Sequence, residues 1–260
     1  MQVIIPMTGN GTRFKNAGYK TLKPFITVNG KPIIKWIISM FDPKDSFIFI
    51  CRDVHLKQIP DMYNHLNTLA PNTQIFETKE WNKEGPVADI LKAEKIINND
   101  IPVVVNYCDF YMHWDYKDFK DFVNNNQFDG VIPCYTGFHP HLIPINNLYA
   151  SCKVNNHMCL EEINEKYSYE DNKFNGYHSP GTYYFKTGAL MKKYYKKQIE
   201  QNVSTNNEYY SSMTYNILLN EGLKVGVYDK IDKFCQWGTP YDLNEYLYFC
   251  EIANKINKET

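Results

Sequence analysis

Two stretches of this chain hold residue types at spacings that suit phosphate chemistry. An apolar run, Val3-Ile4-Ile5-Pro6-Met7, leads straight into Thr8-Gly9-Asn10-Gly11-Thr12-Arg13-Phe14, and a basic, proline-locked segment, Lys20-Thr21-Leu22-Lys23-Pro24, follows at once. Glycines let a backbone turn sharply and bring its N–H groups against phosphate oxygens without a Cβ in the way, while Arg13 and Lys23 can neutralise the charge. Further along, Pro102-Val103-Val104-Val105-Asn106-Tyr107-Cys108-Asp109 reads as a buried strand ending in a carboxylate. Mg²⁺ prefers oxygen donors and is commonly shared between one or two carboxylates and substrate phosphates, which makes Asp109 a candidate ligand. A solvated aspartate at a strand end accounts equally well for that spacing.

Rival phosphate loops fit less well. A Walker A loop needs Lys-Ser or Lys-Thr directly after its last glycine, and Gly11 is followed by Thr12-Arg13. The dinucleotide fingerprint wants a small third residue where Phe14 stands, and an acidic residue at the end of the next strand. An NAD(P)-dependent oxidoreductase built on this loop stays open as an alternative. A strand-to-helix turn with no ligand would explain a lone Gly-x-Gly, but Arg13 and Lys23 weigh against it.

Other residues offer less. His139-Pro140-His141 has a proline between its imidazoles and no Cys or His nearby at ligand spacing, so an ordinary loop is expected. The seven cysteines include no Cys-x-x-Cys pair and fit reduced thiols better than a disulfide framework. Cys108 stands near the candidate carboxylate, where a small buried apolar role suits it. With 28 basic against 29 acidic residues the chain has no general field for nucleic acid or an anionic membrane. No stretch approaches the roughly 20 apolar residues that span a bilayer. Nor does the amino terminus read as a charged leader, and a cytoplasmic protein is expected.

The elements that must position these residues follow from apolar periodicity. Short apolar runs at Val3 to Met7, Ser46 to Cys51, Gln74 to Glu77 and Pro102 to Asn106 alternate with helical spacing at Pro32 to Phe41, His55 to Leu69 and Val87 to Ile97. That order predicts an α/β fold with a mostly parallel sheet and crossover helices, whose ligands bind at the carboxyl ends of strands. Asn29-Gly30 has tight-turn chemistry, and Pro32 suits the first turn of a helix. The second half predicts strands at Val131 to Cys134, Ala150 to Val154, Met158 to Ile163, Gly181 to Lys186 and Val225 to Tyr228. Helices are expected at Gly188 to Asn202, Tyr209 to Glu221 and Pro240 to about Lys255. A chain of 260 residues is expected to form one domain, with residues 1–135 as a nucleotide-binding half and 136–260 as an acceptor-binding half on the same sheet.

Gly9-Asn10-Gly11-Thr12-Arg13-Phe14, then Lys23-Pro24, then Val28-Asn29-Gly30-Lys31-Pro32, resembles the amino-terminal signature of the sugar-1-phosphate nucleotidyltransferases, or nucleoside-diphosphate-sugar pyrophosphorylases. The resemblance implies a Rossmann-like, mixed but mostly parallel sheet flanked by helices, of the GT-A-like nucleotidyltransferase kind. It implies Arg13 and Lys23 as catalytic residues, a nucleotide loop from Thr8 to Thr12, and Asp109 as the ligand of Mg²⁺. Glu84-Gly85-Pro86 is similar to the segment whose glycine lies against the nucleobase, although Gly85 with Pro86 also reads as a plain helix start. Glu165-Lys166, followed by Gly181-Thr182-Tyr183-Tyr184-Phe185, resembles the sugar-phosphate side of the site. Glu208-Tyr209-Tyr210 resembles a further acceptor segment, and a helix N-terminal acid is its competing explanation. Gln236-Trp237-Gly238-Thr239-Pro240 resembles the terminal motif, but Gln236 stands where the family has a second aspartate. Asp232 is the neighbour that would substitute, or the metal is held by Asp109, phosphates and water. Asp115 does not complete an Asp-x-Asp motif, which counts against a sugar transferase proper.

The activity implied is attack of a sugar 1-phosphate on a nucleoside triphosphate with release of pyrophosphate. UTP is the favoured donor and glucose or N-acetylglucosamine 1-phosphate the favoured acceptor. Transfer from CTP to phosphocholine or another phosphorylated alcohol is the nearest alternative, and a non-catalytic nucleotide-binding module is another. One activity is expected, since the chain leaves no length for an appended acetyltransferase domain.

Overall fold

In the computed structural model, which describes residues 1–59, 61–70, 72–79, 82–144 and 149–259, the opening apolar run forms strand β1 (Gln2–Pro6), buried at every position. Gly11 then precedes a short helix, α1 (Thr12–Asn16), and Asn29-Gly30, both at positive φ, turn the small hairpin of β2 (Thr27–Val28) and β3 (Lys31–Pro32). Helix α2 (Ile33–Ile38) leads to β4 (Ser46–Arg52). Two helices, α3 (Asp53–Gln58) and α4 (Met62–Leu69), lead to β5 (Thr73–Thr78), and α5 (Pro86–Lys92) leads to β6 (Val103–Asn106). The single helix expected over His55 to Leu69 is therefore two. Ile59 is extended and Asp61 left-handed between them, as the steric restriction on a residue before proline leads one to expect of Ile59. Pro60 itself lies outside the described residues.

The chain continues through β7 (Phe110–Trp114), α6 (Tyr116–Asn126), β8 (Gly130–Pro133), β9 (Ser151–Val154), β10 (Leu160–Asn164), β11 (Tyr177–His178) and β12 (Thr182–Phe185). It closes with α7 (Gly188–Glu200), α8 (Ser211–Asn220), β13 (Val225–Tyr228), β14 (Ile231–Gln236) and α9 (Pro240–Glu259). The central sheet runs β13-β8-β12-β6-β1-β4-β5. Every pairing in it is parallel except those of β12, which is antiparallel to both neighbours. This is the mixed, mostly parallel sheet the sequence predicts, and strands from both halves of the chain share it.

Side chains alternate across a strand, and β1 divides accordingly. Val3 and Ile5 pack with Ile33, Ile37, Leu66 and Phe119 from α2, α4 and α6 on one face. Ile4 packs with Val87, Ile90, Tyr195 and Leu218 from α5, α7 and α8 on the other. Helices on both faces explain why these strands are near-continuous apolar runs. Among the described residues, no helix is long and apolar enough to cross a membrane.

Strand direction is what positions the chemistry. Because β1, β4 and β6 are parallel, the glycine loop after Pro6, Arg52 at the end of β4 and Asp109 beyond Asn106 emerge at one sheet edge. The antiparallel β12 begins at that edge, where Tyr107 N donates to Gly181 O at 3.0 Å. Two elements absent from the sequence reading complete it. β7 and β14 form an antiparallel ribbon in which Gln236 opposes Phe110. Asp115, weighed above only for a metal motif, is the N-cap of α6 and accepts from Lys117 N and Asp118 N at 2.9 and 3.0 Å.

Candidate active site

The glycine loop leaves β1 under two tethers. Met7 N donates to Ile50 O at 2.8 Å, and buried Thr8 donates its hydroxyl to Asp89 Oδ2 at 2.5 Å. Gly9 has open space where a Cβ would stand, and Gly11 adopts the left-handed conformation (φ 62°) that turns the chain into α1. Phe14, buried and packed edge-on against Tyr19, anchors that helix and leaves Arg13 on the exposed side.

Lys23 sits in the tight turn Lys23–Phe25, with Pro24 restricting the backbone, and its Nζ lies 3.0 Å from Asp109 Oδ2. Burial works against the ammonium. Asp109, through its charge and its hydrogen bond, acts the other way, and the Lys23 pKa is raised, so the side chain stays charged. Burial pushes the Cys108 thiol up to about 11, which leaves it protonated and inert at neutral pH. The β7–β14 ribbon brings the terminal motif to the same carboxylate. Trp237 N donates to Asp109 O at 3.0 Å, and a Cβ on Gly238 would lie 3.4 Å from Asp109 Oδ2.

The loop and the end of β6 help wall a cavity of about 320 Å³. Thr8, Gly9, Asn10 and Thr12 form one side, Gly85, Pro86 and Asp89 another, and Tyr107, Cys108 and Asp109 lie at the end of β6. Glu208, Tyr210 and Lys83 complete the wall. Gly85 (φ 91°) has a local reason to be glycine, because a Cβ there would stand 2.7 Å from Tyr209 N and 2.8 Å from Tyr209 O. Two backbone bonds knit this crossing, Tyr209 N to Glu84 O at 2.7 Å and Val87 N to Tyr209 O at 3.2 Å. The crossing sets Glu208 beside Gly85. There Glu208 pairs with Lys83 at 3.1 Å and accepts from the Tyr210 hydroxyl at 2.9 Å.

Gly11, Arg13 and Lys23 stand beside this wall without lining it, and the other expected site residues lie outside it. Glu165 accepts a hydrogen bond from the Ser212 hydroxyl; burial raises its pKa against the opposing pull of Ser212 and Lys166. Lys166 is exposed in a left-handed conformation (φ 55°), its N–H bonded to Tyr149 O at 3.0 Å. Gly181 (φ 109°) passes close under Tyr107, with a Cβ position 3.0 Å from that ring. Tyr183 and Trp237 are buried packing residues: the first lies 5.7 Å from the Tyr107 ring, and the second stacks on Tyr111 at 6.0 Å.

No protein-family sequence model matches this chain, and no curated protein matches it in sequence. Solved structures do match in shape. The nucleoside-diphosphate-sugar pyrophosphorylase from Vibrio cholerae RC9 superposes with a TM-score of 0.73 at 18% identity, over 95% of this chain and 99% of that one. The inositol-1-phosphate CTP transferase from T. maritima gives 0.72 at 18% identity, over 95% and 93%. An apo UDP-glucose pyrophosphorylase gives 0.72 at 14% identity, over 97% and 98%. The chain has the nucleotidyltransferase fold.

Within this nucleotidyltransferase fold the donor set for a cation is small. Among the described residues, no group of three or more His, Cys, Asp or Glu converges to hold a metal. Of the three carboxylates on the cavity wall, Asp89 is engaged by Thr8 and Lys92 and Glu208 by Lys83 and Tyr210, which leaves Asp109 as the one to share Mg²⁺ with phosphates and water, as that ion is often held. Asp232 cannot supply the second ligand. It pairs with exposed His113 at 2.9 Å, and it stands four residues from Gln236 along β14, about 13 Å at the usual rise per residue. Gln236 instead donates its amide to Asp242 Oδ2 at 2.7 Å, and its own Oε1 is buried without a partner.

Three residues escaped the sequence reading. Asp89 is buried within Val87-Ala88-Asp89-Ile90, and a charge inside a buried helical stripe was its signal. Arg52 ends β4 at the ligand edge and donates to Asn10 Oδ1 at 2.5 Å. Tyr107, which lines the cavity, accepts from Ser211 N at 3.1 Å and so ties the end of β6 to α8.

Proposed function

We propose that this protein transfers a nucleotidyl group from a nucleoside triphosphate to a phosphorylated small molecule and releases pyrophosphate. The observation that carries the reading is the Lys23–Asp109 pair, 3.0 Å apart, beside a cavity walled by the Thr8 to Thr12 loop. A resting charge pair at the mouth of a glycine loop supplies a cation and an anion where phosphate and a divalent cation would each need one. The names of proteins that share the fold support the same class of reaction.

In this reading an oxygen of the acceptor phosphate forms a bond to the α-phosphorus, the bridging bond to the β-phosphate breaks, and pyrophosphate carries away the electron pair. Both reactants are anions, so positioning and charge neutralisation do the catalytic work. The Gly9 to Thr12 amides and Arg13 hold the leaving phosphates. Lys23 turns its ammonium from Asp109 to the α-phosphate, and Lys166 screens the incoming phosphate. Mg²⁺, when held by Asp109, supplies further neutralisation of phosphate charge. Gly85 and Pro86 form the wall against which the base lies, and Glu165 and Glu208 offer acceptors to substrate hydroxyls.

UTP with a sugar 1-phosphate of the glucose or N-acetylglucosamine type is the finer reading. Transfer from CTP to a phosphorylated alcohol is the second, favoured by the equally good superposition on the inositol-1-phosphate CTP transferase. A pyrophosphate-release screen of five nucleoside triphosphates against phosphorylated sugars and alcohols, with and without Mg²⁺, tests both. Release that depends on one triphosphate and one acceptor together is expected. Nucleotide binding without acceptor-dependent release from any pair would overturn the enzyme reading.

A further inference from the structure

Neither glycine of the phosphate loop is held by its own packing. The Cβ position of Gly9 meets nothing within 4 Å, and that of Gly11 meets only Lys23 Cβ at 3.9 Å. A Gly-Asn-Gly turn is costly to order, because glycine loses more backbone freedom than any other residue. Two side-chain hydrogen bonds flank Gly9 and tie the turn to different elements. Before it, Thr8 bonds to Asp89 on α5 at 2.5 Å. After it, Asn10 accepts from Arg52 Nη1, also at 2.5 Å, and Arg52 is the last residue of β4.

The Arg52 anchor has a rigid base. β4 lies beside β1 in parallel register, Ile50 O accepts from Met7 N where the loop begins, and Arg52 opposes Thr78 on β5. A guanidinium presents its donors in a planar fork on a side chain that is always charged. Its bond to a neutral amide oxygen is thus charge-assisted, of the stronger kind. Its positive charge is felt nearby, where burial first and Arg52 second depress the His55 pKa.

We infer that Arg52 is a positioning residue for the triphosphate: through Asn10 it holds the Gly9–Gly11 turn in the shape that receives phosphate oxygens. The inference rests on the nucleotidyl-transfer reading and adds to it the residue that orders the loop before substrate arrives. Pre-organisation of this kind acts on affinity, since the ordering cost is met before binding. It should leave the chemical step largely alone.

The test uses the full chain and titration calorimetry with Mg·UTP and Mg·CTP, alongside steady-state kinetics. Losing one charge-assisted bond in Arg52→Met is expected to weaken triphosphate binding and raise its KM by about tenfold. The kcat is expected to stay within about twofold, the pattern of a lost uniform-binding interaction. Arg52→Lys should recover part of the affinity. Asn10→Ala, a loop change that keeps β4 intact, should weaken triphosphate binding to a similar degree, and the double variant should bind no worse than either single one. Wild-type affinity in Arg52→Met and Asn10→Ala would overturn the inference, as would a fall in kcat at unchanged affinity. If the wild-type protein binds none of the five nucleoside triphosphates of the release screen, the nucleotidyl-transfer reading itself fails, an outcome distinct from equal binding by wild type and variant.

Discussion

Lys23 and Asp109 meet at 3.0 Å across 86 residues of chain, with about a fifth of one side chain and a third of the other open to solvent. Neither is buried deeply enough for the pair to act mainly as a core ion pair, and partly exposed pairs contribute little stability. Their juxtaposition is better understood as a stored arrangement of charge. Removing one partner should therefore disturb chemistry far more than folding.

Lys23→Ala is expected to lower turnover by on the order of 10² or more, as loss of a transition-state charge contact does, while stability changes by less than about 1 kcal/mol. Pyrophosphate release and chemical denaturation measured on the same preparation separate the two effects. Normal turnover in this variant would remove Lys23 from the mechanism.

At Gly85 the opposite balance holds. The positive φ and the Tyr209 backbone 2.7 Å from any Cβ leave no room for relaxation, since both contacts are main chain. Gly85→Ala should cost about 2–4 kcal/mol, combining backbone strain with overpacking. The loss is expected in the denaturation midpoint whether or not substrate is present. An unchanged midpoint would mean that the 208–210 segment moves away readily.

The contrast between these glycines shows what was legible in the chain. The loop at Gly9 and Gly11 lies next to its strand, so one local run displays both the strand and the turn that follows it. The need for glycine at position 85 comes from Tyr209, far along the chain, and no local pattern carries it. The β7–β14 ribbon was missed for a related reason. Its register shifts between Ile231 and Lys233, so β14 shows buried residues at Ile231, Phe234 and Cys235 rather than clean alternation. Asp109 could be placed at a strand end from sequence alone, but only the ribbon shows that Gly238 and Trp237 close over it. Arg52 was accessible in principle, since ligands gather at carboxyl edges. Its use depends on β4 lying beside β1, which the order of elements does not dictate.

A histidine cluster away from the cavity sets an acid limit on the fold. His139 accepts from Phe234 N at 3.3 Å, and His141 Nε2 lies 2.8 Å from the Tyr135 hydroxyl. Burial, aided by Lys233 and the neighbouring imidazoles, pushes His139 down to about 4 and His141 to about 3. Both are held neutral when folded, whereas the unfolded chain takes up protons near the ordinary value of about 6.5. The unfolded state therefore binds more protons below that value, so stability is full above about pH 6.5 and drains as pH falls toward 4. His139→Gln, which keeps a hydrogen-bond acceptor, should lose on the order of 1–3 kcal/mol less than wild type between about pH 7 and 4.5. Parallel pH dependences in the two proteins would show that folding does not depress the His139 pKa.

Gln236 offers the sharpest test of the terminal motif. Its amide donates to Asp242 Oδ2 at 2.7 Å, where the Thr239 hydroxyl also donates at 2.5 Å. Burial already raises the Asp242 pKa against those two hydrogen bonds and the Arg13 charge. Gln236→Glu exchanges a donor for a second carboxylate at nearly the same volume. Two carboxylates at such a site cannot both ionise cheaply, so one should hold a proton well above its ordinary range. The variant is expected to be about 1–3 kcal/mol less stable than wild type near pH 8, from the lost bond and the like-charge contact. That deficit should shrink as pH falls toward about 5, because the added carboxyl, once protonated, can donate to Asp242 as the amide did. Denaturation curves for both proteins across this range give the sign directly. A deficit that persists unchanged at low pH would trace the damage to packing around the buried Oε1 and not to charge.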